Sequence, residues 1–215
     1  MAPRSHRLGL SILAPRQADA ILRPPGTSFL TQSKPANKST LTDTLAQLLN
    51  SSAILLYVQG VLVLQPTHTA EQKKQGTLVH AGLNGVAFAA AVAGLVVIEI
   101  NKFAHKGVHF QSPHAILGLI TYILIIVQAL VGFTQYFLPG LYGGVDNAKS
   151  VYKYHRMSGY VILVLMFATV CAATQTPFNE NVLQMQLWAV IVASVITLAG
   201  ILPRIKMQKL GFKTQ

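Results

Sequence analysis

Five apolar runs, each about the length needed to cross a bilayer, restrict what this chain can become more than any other feature. They lie at about residues 46–64, 78–98, 114–137, 158–174 and 182–202. A spanning helix needs about 20 predominantly apolar residues. In hydrocarbon the backbone must satisfy its own hydrogen bonds, which leaves helices and closed barrels as the options. These runs lack the two-residue alternation of barrel strands. The expected architecture is therefore an all-α membrane protein with five transmembrane helices. The second run, "LVHAGLNGVAFAAAVAGLVVI", is rich in Ala and Gly. Small residues let helices approach closely in lipid, so this helix is expected to be buried among neighbours.

Composition agrees: 52% of the residues are hydrophobic and only 11% charged, against about 25% charged in soluble domains. The net charge of +11 would suggest nucleic acid in a soluble protein. Here Lys and Arg sit between and beyond the apolar runs, with no basic amphipathic stripe or reading motif, so nucleic acid is not an expected partner. Cys171 is the only cysteine. It excludes an internal disulfide and a Cys-cluster metal site.

Residues 1–41 differ from the rest: Arg4, Arg7, Arg16, Arg23, Lys34 and Lys38 stand against one acid, Asp19. They read as a disordered tail, an acid-poor targeting peptide or an artefactual start of the reading frame. Residues 42–205 form the membrane domain, and 206–215 a basic tail. Helix starts are signalled by Thr69 with Gln72 as a capping box, by Ser112 before Pro113, and by Asp146 or Asn147 as a cap. Pro203 marks the end of the last span. The face holding the 66–78 loop, the 139–156 loop and the C-terminus is called side A. It carries nine bases: Lys73, Lys74, Lys149, Lys153, Arg156, Arg204, Lys206, Lys209 and Lys213. Side B loops hold two, Lys102 and Lys106. Cytoplasmic loops are the basic ones, so side A and the C-terminus are expected in the cytosol. The basic N-terminal tail then falls on side B, against that rule.

His80, His114 and His155 lie in or at apolar spans, where ionisable side chains are costly and are candidates for function. His80 lies about 15 Å along its helix from Ala70, and His155 about 12 Å from Asn147, at 1.5 Å per residue. Their helices start on the same face and run parallel. Two imidazoles at one level across a bundle are what bis-histidine haem ligation requires. The alternative for each is a hydrogen bond to a neighbouring helix. His114 stands near side B and cannot share an iron with the other two. Gly118 and Gly159 follow His114 and His155 by four residues, on the same helix face. They suit either a flat macrocycle or ordinary close helix packing.

The stretches "AILLYVQGVLVLQPTHTAEQKKQGTLVHAGLN", "HKGVHFQSPHAILGL" and "YKYHRMSGYVILV" together resemble the cytochrome b561 superfamily over about residues 46–205. The resemblance implies a four-helix haem-binding core with one flanking helix, and b haem as cofactor. His80 and His155 match the cytoplasmic-side pair of axial ligands. His114 matches one ligand of a second haem. The implied activity is electron transfer from cytosolic ascorbate to monodehydroascorbate or a ferric chelate. The implied enzyme is thus a transmembrane ascorbate-dependent reductase. Lys73 and Lys74 correspond to basic positions of the cytoplasmic ascorbate site, and His109 to a histidine near the opposite substrate site; Lys153, on the same face, is counted with the donor-side lysines. For the lysines the alternative is plain positive-inside topology, and for His109 a solvated loop position. Expected partners are these small donors and acceptors, the lipid bilayer and a second copy in a homodimer.

Two departures stand out. The family's first span is missing, and "TLAQLLNSSAILL" lacks the fourth haem histidine, with Ala46 and Gln47 at its place. Either the side B haem is lost, or the first 45 or so residues are not the authentic N-terminus. On this reading one haem is held firmly, and Ala46→His or Gln47→His would restore the second site. The competing functions are a haem-free scaffold in a membrane complex and a small transporter. The lack of a clear inverted repeat or broken-helix pair argues against transport.

Overall fold

The structure is a computed structural model that describes residues 38–205 and Leu210. The tail of residues 1–37, and the lysines at 206, 209 and 213, lie outside the described residues. Seven helices follow in order: α1 (Lys38–Leu62), α2 (Ala70–Ala104), α3 (Pro113–Phe137), α4 (Val145–Ser150), α5 (Tyr152–Ala173), α6 (Pro177–Asn181) and α7 (Leu187–Ile201). Among the described residues five segments are long and apolar enough to cross a membrane: α1, α2, α3, α4 with α5, and α7 with its terminal 3-10 turn. No strand occurs among the described residues. The all-α, five-span expectation holds.

Helices α1, α2, α3 and α5 form the core, and α7 packs on α5 from outside. The pairing is uneven: α1 lies mainly along α2, and α3 mainly along α5. The α1–α2 seam is made of small residues. Ala46, Ala53 and Gly60 on α1, with Ala87, Ala91 and Gly94 on α2, are all buried. The second run is thus buried where its Ala and Gly lie, as small-residue packing in lipid requires. Val58, Ile125, Ile162, Leu163, Met166 and Ile201 join the pairs into one apolar core. Large side chains such as Leu55, Ile123, Leu130, Val161 and Val195 point outward, as they do when the surroundings are lipid.

Local signals fix the helix starts. Thr69 and Gln72 form a reciprocal capping box at α2. Ser112 accepts from the Ala115 N–H at α3, with Pro113 in the first turn. The fourth span differs from expectation. Neither Asp146 nor Asn147 caps it. The N-cap is Gly144, at φ 120°, and Asp146 lies inside the first turn. The helix then breaks at Val151 before α5 begins. The first span also starts earlier than residue 46. Thr42 and Thr44 return their hydroxyls to the Lys38, Ser39 and Thr40 carbonyls, and Asp43 accepts from Asn101 of α2 at 2.8 Å. These contacts carry α1 back to Lys38, into the stretch read as tail. The last span starts later, at Leu187, after the short α6. It leaves α-helical geometry at Ile201, and Pro203 sits in the closing 3-10 turn.

Candidate functional site

His80 lies ten residues into α2 and His155 in the first turn of α5, and the fold brings them face to face. Their ring centres are 6.5 Å apart, with planes at 80°. Two axial imidazoles on one metal have ring centres about 6 Å apart, allowing about 2 Å per metal–nitrogen bond and about 1.1 Å from nitrogen to ring centre. The observed spacing matches that requirement.

Each ring is held by its surroundings. The Nδ1 of His80 lies 2.7 Å from the Gly60 carbonyl. A carbonyl can only accept, so Nδ1 carries the proton and Nε2 keeps its lone pair, as metal-ligating histidines commonly arrange. The Asn84 amide, one turn on, lies 3.0 Å from Nε2. Gly60 makes room for it: a Cβ there would meet Asn84 Oδ1 at 2.6 Å. On the other side, the His155 ring lies against Gly132 of α3, where a Cβ would come within 2.8 Å of Cε1. The Nδ1 of His155 is buried with no hydrogen-bond partner. An orphaned buried nitrogen costs about 1–3 kcal/mol, which marks this ring as one that the apoprotein leaves unsatisfied.

The backbone around His155 is fastened to α3. Gln128 donates to the His155 carbonyl at 2.6 Å, and Ser158 donates to Gln128 Oε1 at 2.7 Å. Beside the ring, a cleft of about 370 Å³ opens between α3 and α5, lined by Leu124, Val127, Gln128, Val131, Tyr154 and His155. Its size falls in the range of small-molecule sites, and its wall is largely apolar. Paired rings, an orphaned nitrogen and a glycine where a Cβ would strike the ring fit a flat, apolar, metal-bearing group such as haem.

The other sequence candidates stand apart from this pair. His114, half-buried at the start of α3, turns toward α5, with Nδ1 3.1 Å from the Thr169 carbonyl. It makes the helix-to-helix hydrogen bond that was its alternative. Gly118 faces Thr169 and Gly159 faces Gln128. Lys73 and Lys74 are exposed two turns before His80, and the Lys153 ammonium lies 5.0 Å from the Tyr154 ring centre. His109 is at the opposite end of the bundle. Its Nδ1 lies 2.5 Å from Glu99 Oε2, and its ring 4.5 Å from that of Phe103.

Sequence reasoning missed Gly60, Asn84, Gln128, Gly132 and Glu99. Only Asn84 had a local signal, as the i+4 neighbour of His80. The rest act across helices.

A family profile described as eukaryotic cytochrome b561 matches residues 46–179. Mouse plasma membrane ascorbate-dependent reductase CYBRD1 is 34% identical over 118 residues, which is 54% of this chain and 40% of that protein. Its rat counterpart is 34% identical over 92 residues, 43% and 32% of the two chains. Maize ascorbate-specific transmembrane electron transporter 2 is 27% identical over 117 residues, 54% and 48%. The chain thus spans less than half the length of each of these curated relatives.

Proposed function

The chain belongs to the eukaryotic cytochrome b561 family, and from that premise we propose that it is a membrane electron carrier holding one b haem between His80 and His155. The observation that carries this reading is the spacing of the two rings across the core. Bound there, the haem supplies reversible one-electron chemistry. The protein supplies the rest. Gly60 fixes the tautomer of His80, Gly132 leaves room for the His155 ring, and the Gln128–Ser158 link holds the first turn of α5 in register. Leu124, Val127 and Val131 give the cleft apolar walls, which would limit water beside a bound metal.

Ascorbate is the proposed donor, drawn as an anion to Lys73, Lys74 and Lys153 on side A, whose excess of bases supports a cytosolic placement. Monodehydroascorbate or a ferric chelate is the proposed acceptor. The names of the mouse and maize relatives support ascorbate as the donor class. A role for His109 beside an acceptor depends on electrons reaching side B.

The test is a reduced-minus-oxidised absorbance spectrum of the full chain, purified in detergent after expression with ample haem. A reducible low-spin b-type signal is expected, absent from His80→Ala and His155→Ala and retained in His114→Ala. No signal in the unmodified chain would overturn the reading and favour a haem-free scaffold.

A further inference from the structure

The half of the core toward side B is built differently from the His80–His155 half. At Ala46 and Gln47, where the resemblance implies a ligand for a second haem, the Ala46 side chain is 5% exposed at the α1–α2 seam and Gln47 is half-buried. One turn later Asn50 returns its amide to the Ala46 carbonyl at 2.9 Å. Its Oδ1 lies 2.6 Å from the Tyr122 hydroxyl of α3, which also lies 2.7 Å from the Ala91 carbonyl of α2. A single phenolic proton is thus shared between acceptors on two other helices. Gly94 completes the arrangement: a Cβ there would strike the Asn50 amide nitrogen and come within 3.2 Å of the Ala46 carbonyl. Behind the tyrosine, Ala53, Ala87 and Ala91 close the seam.

His114, meanwhile, is drawn to α5 rather than α1. Its Nδ1 meets the Thr169 carbonyl, and the Thr169 hydroxyl lies 3.2 Å from that of Thr121. Among the described residues, the only histidine rings that approach one another are those of His80 and His155. A second haem does not fit this half. Among the described residues His114 has no opposing imidazole, and Asn50 and Tyr122 stitch α1, α2 and α3 together. Displacing side chains linked this way inside a membrane protein leaves the Tyr122 hydroxyl and its Asn50 and Ala91 acceptors without these partners.

We infer that Asn50 and Tyr122 form a permanent polar clamp in place of a second haem, and that the protein exchanges electrons at side A alone. The inference rests on the proposed His80–His155 haem. From His80 to the side B end of α2 at Ala104 is 24 residues, about 36 Å at 1.5 Å per residue, and electron tunnelling falls off exponentially with distance. In each turnover an ene-diol donor such as ascorbate gives up one electron and one proton at side A. The proton goes to water, and the donor leaves as its radical anion. A one-electron acceptor arriving at the same face takes the electron, as when a ferric chelate leaves ferrous. His109, tied to Glu99, then serves to close the 105–112 loop.

The experiment uses the full chain in two formats. Haem content per chain is measured together with a redox titration, and one haem with one midpoint is expected. The chain is then placed in vesicles. Ascorbate and ferric citrate, both outside, should give protein-dependent iron reduction. Ascorbate trapped inside with ferric citrate outside should give no more than protein-free vesicles. Tyr122→Phe and Asn50→Ala should melt earlier while keeping the haem ratio and spectrum of the unmodified chain. Two haems per chain, or fast iron reduction by trapped ascorbate, would overturn the inference and leave the proposed haem site intact. Absence of any haem would overturn both. Should either variant misfold, the stoichiometry and sidedness of the unmodified chain still decide.

Discussion

Gly132→Ala isolates the fit between α3 and the His155 ring. The added Cβ would come within 2.8 Å of Cε1, 3.3 Å of Nε2 and 3.5 Å of Nδ1. Carbon atoms at optimal separation stand about 3.5–4.0 Å apart, so the ring must retreat by about 0.7 Å or more. It has little freedom to do so, because Gln128 and Ser158 hold the His155 backbone against α3. Overpacking of this kind costs about 1–3 kcal/mol. A ring anchored to a metal can yield less than a free one, so most of that cost falls on the haem-bound state. The expected outcome is a haem affinity about 5- to 150-fold weaker, read by transfer of haem to an excess of a soluble apo-haem protein. Gly85→Ala is the control. Nothing lies within 4 Å of a Cβ there, and both variants gain the same helix preference of alanine over glycine. If Gly132→Ala holds haem as tightly as Gly85→Ala, with an unchanged spectrum, the ring does not sit against α3 and the proposed ligand geometry is wrong.

Ala46→His, which the sequence alone suggests would restore a second site, should not create one, since the position is buried at the α1–α2 seam with its carbonyl beside Gly94. We expect one haem per chain, with a stability loss of about 1–3 kcal/mol seen in thermal unfolding; a second low-spin signal would contradict this. Thr69→Ala removes one half of the capping box at α2. A loss of about 1 kcal/mol is expected, lowering the melting temperature by about 2–4 °C for a protein of this size with an unchanged haem spectrum. A reporter fused after Gln215 should read as cytosolic, and a lumenal or extracellular reading would reverse the assignment of side A.

The five spans were legible because hydrocarbon admits few backbone solutions, and a run of 20 apolar residues states its length directly. Their ends were less so. The "KSTLTDTL" opening of α1 reads as loop from composition. It is helical because its hydroxyls bond back along the chain and Asp43 reaches Asn101, a contact 58 residues away. The cap of the fourth span was misplaced because Gly144, not an Asx side chain, sets the turn. At the site, the nearness of His80 and His155 followed from counting residues inward from one face. The glycines did not follow. The i+4 rule directed attention to Gly118 and Gly159 on the histidines' own helices, whereas the ring of His155 meets Gly132 on a neighbour. Which residues meet across helices depends on how each helix is rotated about its axis. Apolar runs that are greasy on every side leave that rotation almost unmarked.

The uneven pairing of the core has a consequence for how the protein is made. α1 with α2 is one hairpin, and α3 with α5 is the other. His80 belongs to the first and His155 to the second. The proposed haem, gripped by both, would therefore act as a rivet between two halves that enter the membrane in succession, the second emerging from the ribosome after the first. Because the complete pair exists only once both halves have docked, haem binding there would draw the docked state out of any looser population by mass action. Haem supply during synthesis would then govern how much protein accumulates, quite apart from how fast it works. In a haem-starved cell the deficit would appear as chains cleared by quality control before assembly.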